Sequence, residues 1–128
     1  MILDSSAIIA VICRETGHET LVAKIAAARQ LLVGAPTVAE TQLALTVRLG
    51  RDAGALVEQF LAEAQAMVVP FTREHVSAFF EGFLRYGKGR HPARLNMGDC
   101  FTYATARVAG LPLLFVGDDF SMTDLAAA

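Results

Sequence analysis

Four places in the chain set carboxylates among apolar residues: Asp4 after "MIL", Glu40 inside "APTVAETQLAL", Asp99 in "LNMGDC", and the Asp118/Asp119 pair after "LPLLFVG". No Lys or Arg adjoins any of them in sequence. Carboxylates brought within a few ångströms of one another raise each other's pKa or must be neutralised by a cation. Oxygen donors without Cys or His select the hard ions Mg²⁺ or Mn²⁺. Such a pocket polarises a phosphoryl oxygen, generates hydroxide near neutral pH and steadies a leaving oxygen, which is nuclease or phosphatase chemistry. The acids also have simpler explanations. Asp4 beside a helix start and Asp99 three residues past Asn96 suit a helix dipole, and Asp118 and Asp119 suit a turn. Glu40, one turn into a helix with apolar neighbours on both sides, has the weakest such excuse. By contrast, Glu15, Glu19, Asp52, Glu58, Glu63, Glu74 and Glu81 fall where solvated helix faces are expected.

Positive charge concentrates just upstream of Asp99, in "RYGKGRHPAR". Arg85, Lys88, Arg90, His91 and Arg94 there could hold a phosphate backbone although the chain as a whole is acidic. Tyr86 could stack on an unpaired base, with core packing as the commoner use of such a residue.

For these groups to meet, the fold must bring together residues spread across the whole chain. "MIL" reads as a short strand that feeds a helix over Ser5 to Arg14, with Ser hydroxyls available to cap it. A second helix spans Glu19 to Arg29, and "LLVG" from Leu31 is a brief buried strand. Pro36 opens a third helix that ends at Gly50, and a fourth runs from about Ala53 to Ala66. "MVVPF", Met67 to Phe71, is a strand, and Thr72 caps a helix whose Val76, Phe79, Phe80 and Phe83 read as a core stripe. After the basic loop, Asn96 caps a sixth helix to about Ala109, Gly110 stops it, and Leu111 to Gly117 form the last strand. Strands alternating with helices predict a single α/β domain over 1–128, a mostly parallel four- to five-stranded sheet flanked by helices. Ligands in such sheets settle at the carboxyl ends of the strands where chain order reverses. If the first and last strands are neighbours, Asp4 and Asp118 converge there, and Glu40 and Asp99 can point to the same rim.

The totals narrow the field further. With 11 Lys+Arg against 13 Asp+Glu and a net charge of -2 over 128 residues, bulk electrostatics will not draw the protein to nucleic acid or anionic lipid. Hydrophobic residues at 54% against 19% charged lean apolar, which suggests surface covered by another chain. The apolar run Ala7 to Cys13 is far short of the roughly 18 residues of a membrane span. An acid at position 4 without a basic leader argues against export, leaving the cytoplasm as the expected location. The 2 cysteines, Cys13 and Cys100, lack metal spacing and suit reduced thiols in apolar surroundings, and the 3 histidines form no HExxH pair.

At the level of motifs, the chain resembles the PIN-domain ribonucleases, and among them toxins of the VapC type. "MILDSSAIIAVICRE" is similar to the family's opening strand, aspartate and helix, and "VAE" to its glutamate segment. "RLNMGDCFTYATA" and "LPLLFVGDDFSMTDL" resemble its two closing blocks, the more specific part of a likeness that runs the length of the chain. The resemblance implies that Asp4 and Asp99 bind Mg²⁺ (or Mn²⁺), that Glu40 completes the acidic site, and that Asp118, preferred to Asp119, supplies the fourth acid. Ser6 would be the supporting hydroxyl, with Ser5 beside it. It further implies Mg²⁺-dependent endoribonuclease cleavage of single-stranded regions of RNA, a homodimer, and a cognate antitoxin that forms a heterotetramer or larger assembly. The doubled acid after Gly117 departs from the pattern. A phospho-acceptor receiver domain would also suit this length, but it needs an acceptor Asp on a central strand and a late strand-end Lys, and neither is present. An inactive binding module is the remaining alternative.

Overall fold

The computed structural model describes residues 1–128. Four short parallel strands, β1 (Ile2–Leu3), β2 (Leu32–Gly34), β3 (Met67–Val69) and β4 (Leu113–Leu114), lie in the order β3-β2-β1-β4. The helices are α1 (Ser5–Ile12), α2 (His18–Ala27), α3 (Ala35–Leu49), α4 (Gly54–Glu63), α5 (Arg73–Tyr86) and α6 (Met97–Ala109).

Successive strand residues face opposite sides, so each strand feeds two cores. Leu3, Val33 and Leu114 pack with Ala7, Ile8, Val38, Leu45, Val57 and Leu61 from α1, α3 and α4. Ile2, Leu32 and Leu113 pack with Cys100, Tyr103 and Ala106 of α6 and Tyr86 of α5. This division follows from right-handed crossovers. The chain steps outward from β1 to β3, then must return across the sheet to reach β4, which puts α5 and α6 on the other face. The order reverses between β1 and β4, which pair as Ile2↔Leu113 and Leu3↔Leu114.

Two expected strands are shorter than their apolar runs. Leu111 to Gly117 pairs only at Leu113–Leu114, because its neighbour β1 ends where Asp4 starts a helix; beyond that point the Val116 N–H donates instead to Ser6 Oγ at 3.0 Å. Met67 to Phe71 ends at Val69, since Pro70 has no N–H to offer the sheet. The outer edge of β4 is met by the C-terminal residues: Leu113 N–H donates to Ala126 O at 2.8 Å and Ala128 N–H to Leu113 O at 2.9 Å, an isolated bridge beside the four strands.

Helix ends largely follow the capping residues. Asn96 and Asp99 form a reciprocal capping box on α6, and Gly50 and Gly110 close α3 and α6 with φ of 65° and 63°. At α1 the cap is Asp4, whose carboxylate accepts from Ser6 N–H, rather than a serine hydroxyl. The expected core stripe of α5 splits in two. Phe79 and Phe83 pack against the second core, whereas Val76 and Phe80 are 44% and 57% exposed, in line with Leu84 at 58%. Gly82 lets α6 approach α5: a Cβ there would stand 2.5 Å from Tyr103 Cδ1.

Candidate active site

β1 and β4 deliver their carboxyl ends side by side, so Asp4 and the loop carrying Asp118 and Asp119 share one rim. Asp4 is 4% exposed. Its Oδ2 accepts from Ser6 N–H at 3.0 Å and from Ser6 Oγ at 2.5 Å. Because Ser6 Oγ also accepts from Val116 N–H, one hydroxyl ties the end of β1 to the chain leaving β4.

Asp99 enters from the first turn of α6. Asn96 N–H donates to its Oδ2 at 2.8 Å, while Asp99 N–H donates to Asn96 Oδ1 at 3.0 Å. The cap fixes one carboxylate oxygen and leaves the other available. Burial raises the Asp99 carboxyl to about 6, with the charges of Asp4 and Asp119 adding to the rise and the Asn96 N–H opposing it. Glu40, half-buried on α3, is likewise pushed up, first by burial and then by Asp4 and Asp99, against a hydrogen bond from Ser5. Of the two serines, Ser6 is the one hydrogen-bonded to Asp4.

The rim collects Asp4, Glu40, Asp99 and Asp119 into one field. Asp118 is not among the charges acting on Asp99; its backbone carbonyl accepts from Ser121 N–H and Oγ in a tight turn. Asp119, rather than Asp118, is the acid of the pair whose charge reaches Asp99. None of these carboxylates forms an ion pair: the bridges present involve Glu15, Glu19, Glu81 and Asp124. No three His, Cys, Asp or Glu side chains close tightly enough around one point to cage an ion. That arrangement still suits Mg²⁺, which keeps several waters and takes only one or two carboxylates from the protein. Desolvated, mutually repelling oxygen donors with no counter-cation match such an ion in charge and hardness.

The basic loop divides. Lys88, Arg90, His91 and Arg94 line an open polar hollow of about 500 Å³. Arg90 also lies over the Phe83 ring, 5.2 Å from its centre. Arg85 stands apart from that hollow, in bridges of 2.9 Å to Asp124 and 3.2 Å to Glu81, with its side chain 45% exposed. Tyr86 is buried against Tyr103 and His91 rather than open to a base.

Some working residues left little trace in sequence. Asp124 accepts from the Tyr103 hydroxyl at 2.9 Å and fastens the C-terminal segment to α6 and Arg85. Burial pushes its carboxyl up, but Tyr103 and Arg85 outweigh that and hold it below the usual range. The signal for it would have been a tyrosine in the middle of a buried helix face, whose hydroxyl needs a partner. A larger hollow of about 590 Å³, between α2 and α4 and lined by Val22, Ile25, Phe60 and Met67 among others, includes none of the clustered acids.

Comparison with known proteins identifies the family and the fold. The PIN domain family model matches residues 1–125. Ribonuclease VapC36 of Mycobacterium tuberculosis is 50% identical over 126 residues, covering 98% of this chain and 91% of its own, and Ribonuclease VapC of Mycolicibacterium smegmatis is 37% identical over 127 residues, covering 99% and 98%. Among solved structures, Mycobacterium tuberculosis VapC20, described as a sarcin-ricin loop cleaving toxin, superposes with a TM-score of 0.78 at 17% identity over 99% of this chain and 97% of its own. With that fold, that rim of acids and these relatives, the chain belongs to the PIN-domain family, in its VapC branch.

Proposed function

We propose that this protein is the ribonuclease toxin of a toxin–antitoxin pair, a Mg²⁺-dependent endoribonuclease acting on single-stranded regions of RNA. The observation that carries the reading is the set of carboxylates of Asp4, Glu40 and Asp99, half-buried or deeper, within one another's field and without a cationic partner. Asp4 and Asp99 would hold the ion, with Glu40 and Asp119 completing the negative field. When bound, Mg²⁺ would act as a Lewis acid on the phosphoryl group and lower the pKa of a coordinated water.

The chain's own groups then do the positioning. Ser6 and Asn96 each donate to one oxygen of Asp4 and Asp99 respectively, which leaves the other oxygen of each carboxylate free to take a metal ion. Glu40, whose carboxyl is raised by burial and by Asp4 and Asp99, would take up the proton released as water oxygen bonds to phosphorus, and solvent would protonate the ribose oxygen as its bond to phosphorus breaks. Lys88, Arg90 and Arg94 supply backbone contacts on the approach to Asp99.

The partners proposed are an antitoxin and a second copy of this chain. For the dimer, the outward stripes of α3 (Leu43, Val47) and α5 (Val76, Phe80, Leu84) are the apolar surface on offer. The test of the activity is cleavage of a single-stranded RNA by the purified protein. Cleavage that stops in EDTA and returns with excess Mg²⁺ supports the reading. Cleavage indifferent to EDTA, or none at any Mg²⁺ concentration, refutes it.

A further inference from the structure

Two acids of the rim reach it from different helices: Glu40 from α3 and Asp99 from α6. Their spacing depends on how those helices are held. Buried threonines line the seam, Thr37 and Thr41 on α3 and Thr102 and Thr105 on α6, each at most 1% exposed. Thr41 donates to Thr37 O at 2.7 Å and Thr105 to Phe101 O at 3.0 Å, so both hydroxyls are satisfied within their own helix. Thr37 and Thr102 instead bond to each other at 3.0 Å, the one side-chain hydrogen bond joining α3 to α6. Thr37 is three residues before Glu40 and Thr102 three after Asp99, so on each helix the bonded threonine stands one turn from the acid, on the same face. Apolar packing tolerates sliding; a buried hydroxyl pair does not, because slippage strands a polar group away from water.

A second observation converges on the same spacing. Gly98, in the first turn of α6, carries the Glu40 carboxylate directly over its α-carbon, and a Cβ there would overlap both carboxylate oxygens and the carbon between them. The backbone at Gly98 is helical, with no positive φ to demand glycine. Alanine would favour the helix more than glycine does. What glycine provides at this position is room for Glu40.

We propose that Gly98 and the Thr37–Thr102 hydrogen bond are positioning elements that set the reach of Glu40 into the acidic pocket relative to Asp99. The inference rests on the metal-dependent reading above and concerns how this chain's residues prepare the site. Its test is calorimetric titration of Mn²⁺ into the full chain, without RNA, with melting in EDTA as a check on folding and cleavage kinetics alongside. Wild-type protein comes first: no saturable Mn²⁺ binding there defeats the functional reading, and this proposal with it.

Given wild-type binding, Thr102→Val or Thr37→Val should weaken Mn²⁺ affinity at least fivefold and lower kcat more than KM. The double variant should be no worse than either single one, and Thr102→Ser, which keeps the hydroxyl, should stay within twofold of wild type. Gly98→Ala should weaken affinity about tenfold in the natural chain yet change nothing when Glu40 is already Ala, since it acts through that carboxylate. If Thr102→Val does not fold, the Gly98→Ala comparison in the two backgrounds decides alone. Wild-type affinity in Gly98→Ala, or an equal loss with and without Glu40, overturns the positioning role, as does Thr102→Ser failing as badly as Thr102→Val.

Discussion

Asp99 serves two ends with one carboxylate. One oxygen accepts the Asn96 N–H and finishes the capping box, while the group as a whole sits in a desolvated pocket near Asp4 and Asp119. Its pH behaviour separates these roles. An unfolded aspartate titrates near 3.9, and the folded carboxyl is raised to about 6. Between those values the folded state holds the extra proton, so in metal-free protein the contribution of Asp99 to stability falls as pH rises from about 4 to 6. The melting temperature of wild type minus that of Asp99→Asn, measured in EDTA, should therefore decline over that window, and a flat difference would reduce Asp99 to a cap. Ser6 makes a different prediction. Ser6→Ala leaves Asp4 Oδ2 and Val116 N–H without their shared partner, which should cost roughly 1 kcal/mol or more of stability and reduce cleavage further than that loss explains. Activity equal to wild type at matched temperature would remove Ser6 from the site. Asp4, Glu40 and Asp99 were legible in sequence because a charge among apolar neighbours demands an explanation. The threonines were not, since a threonine in a helix is equally at home in solvent, against its own backbone, or across a seam.

At the scale of elements, strand existence and order of events along the chain could be read, but strand length could not. A parallel strand extends only as far as its neighbour offers partners, and β1 stops after Leu3 because Asp4 must cap α1. Likewise, periodicity identified apolar faces on α5 without distinguishing Phe79 and Phe83, which meet α6, from Phe80, which stays largely open to solvent. The C-terminal segment was the least legible, because its side-chain hold on the body, a hydrogen bond from Tyr103 and an ion pair from Arg85, both to Asp124, adds to backbone bonds between Leu113 and Ala126 and Ala128 that no local pattern announces. Asp124→Ala should cost about 1–3 kcal/mol, the range for leaving a buried hydroxyl without a partner, with Tyr103→Phe costing less; equal and negligible losses in denaturant unfolding would show that the clamp is idle. In the basic loop, replacing Arg90 and Arg94 by Ala should reduce the salt dependence of single-stranded RNA binding by about 0.7 in log–log slope for each phosphate no longer neutralised. An unchanged slope would retire the loop as the backbone grip.

As a whole molecule, this protein joins an apolar composition to a surface that leaves large side chains uncovered. Leu43 and Val47 on α3 are 66% and 75% exposed, and Val76, Phe80 and Leu84 repeat every fourth residue on α5. Phe80→Glu should convert a dimer to monomers by light scattering without lowering the melting temperature of the monomer, and a monomeric wild type would dispose of the dimer. No helix is long and apolar enough to cross a membrane. Carboxylates from distant parts of the chain gather in one field without a cationic partner, and the proposed function places a divalent cation there. Titration of Mg²⁺ into the protein, followed by its melting temperature, tests this most directly. A saturable rise in wild type, following the logarithmic dependence on ligand concentration of an ion that binds only the folded state, and its loss in Asp4→Asn and Asp99→Asn, is the predicted result. Equal melting temperatures with and without Mg²⁺, or an undiminished rise in both variants, would contradict it.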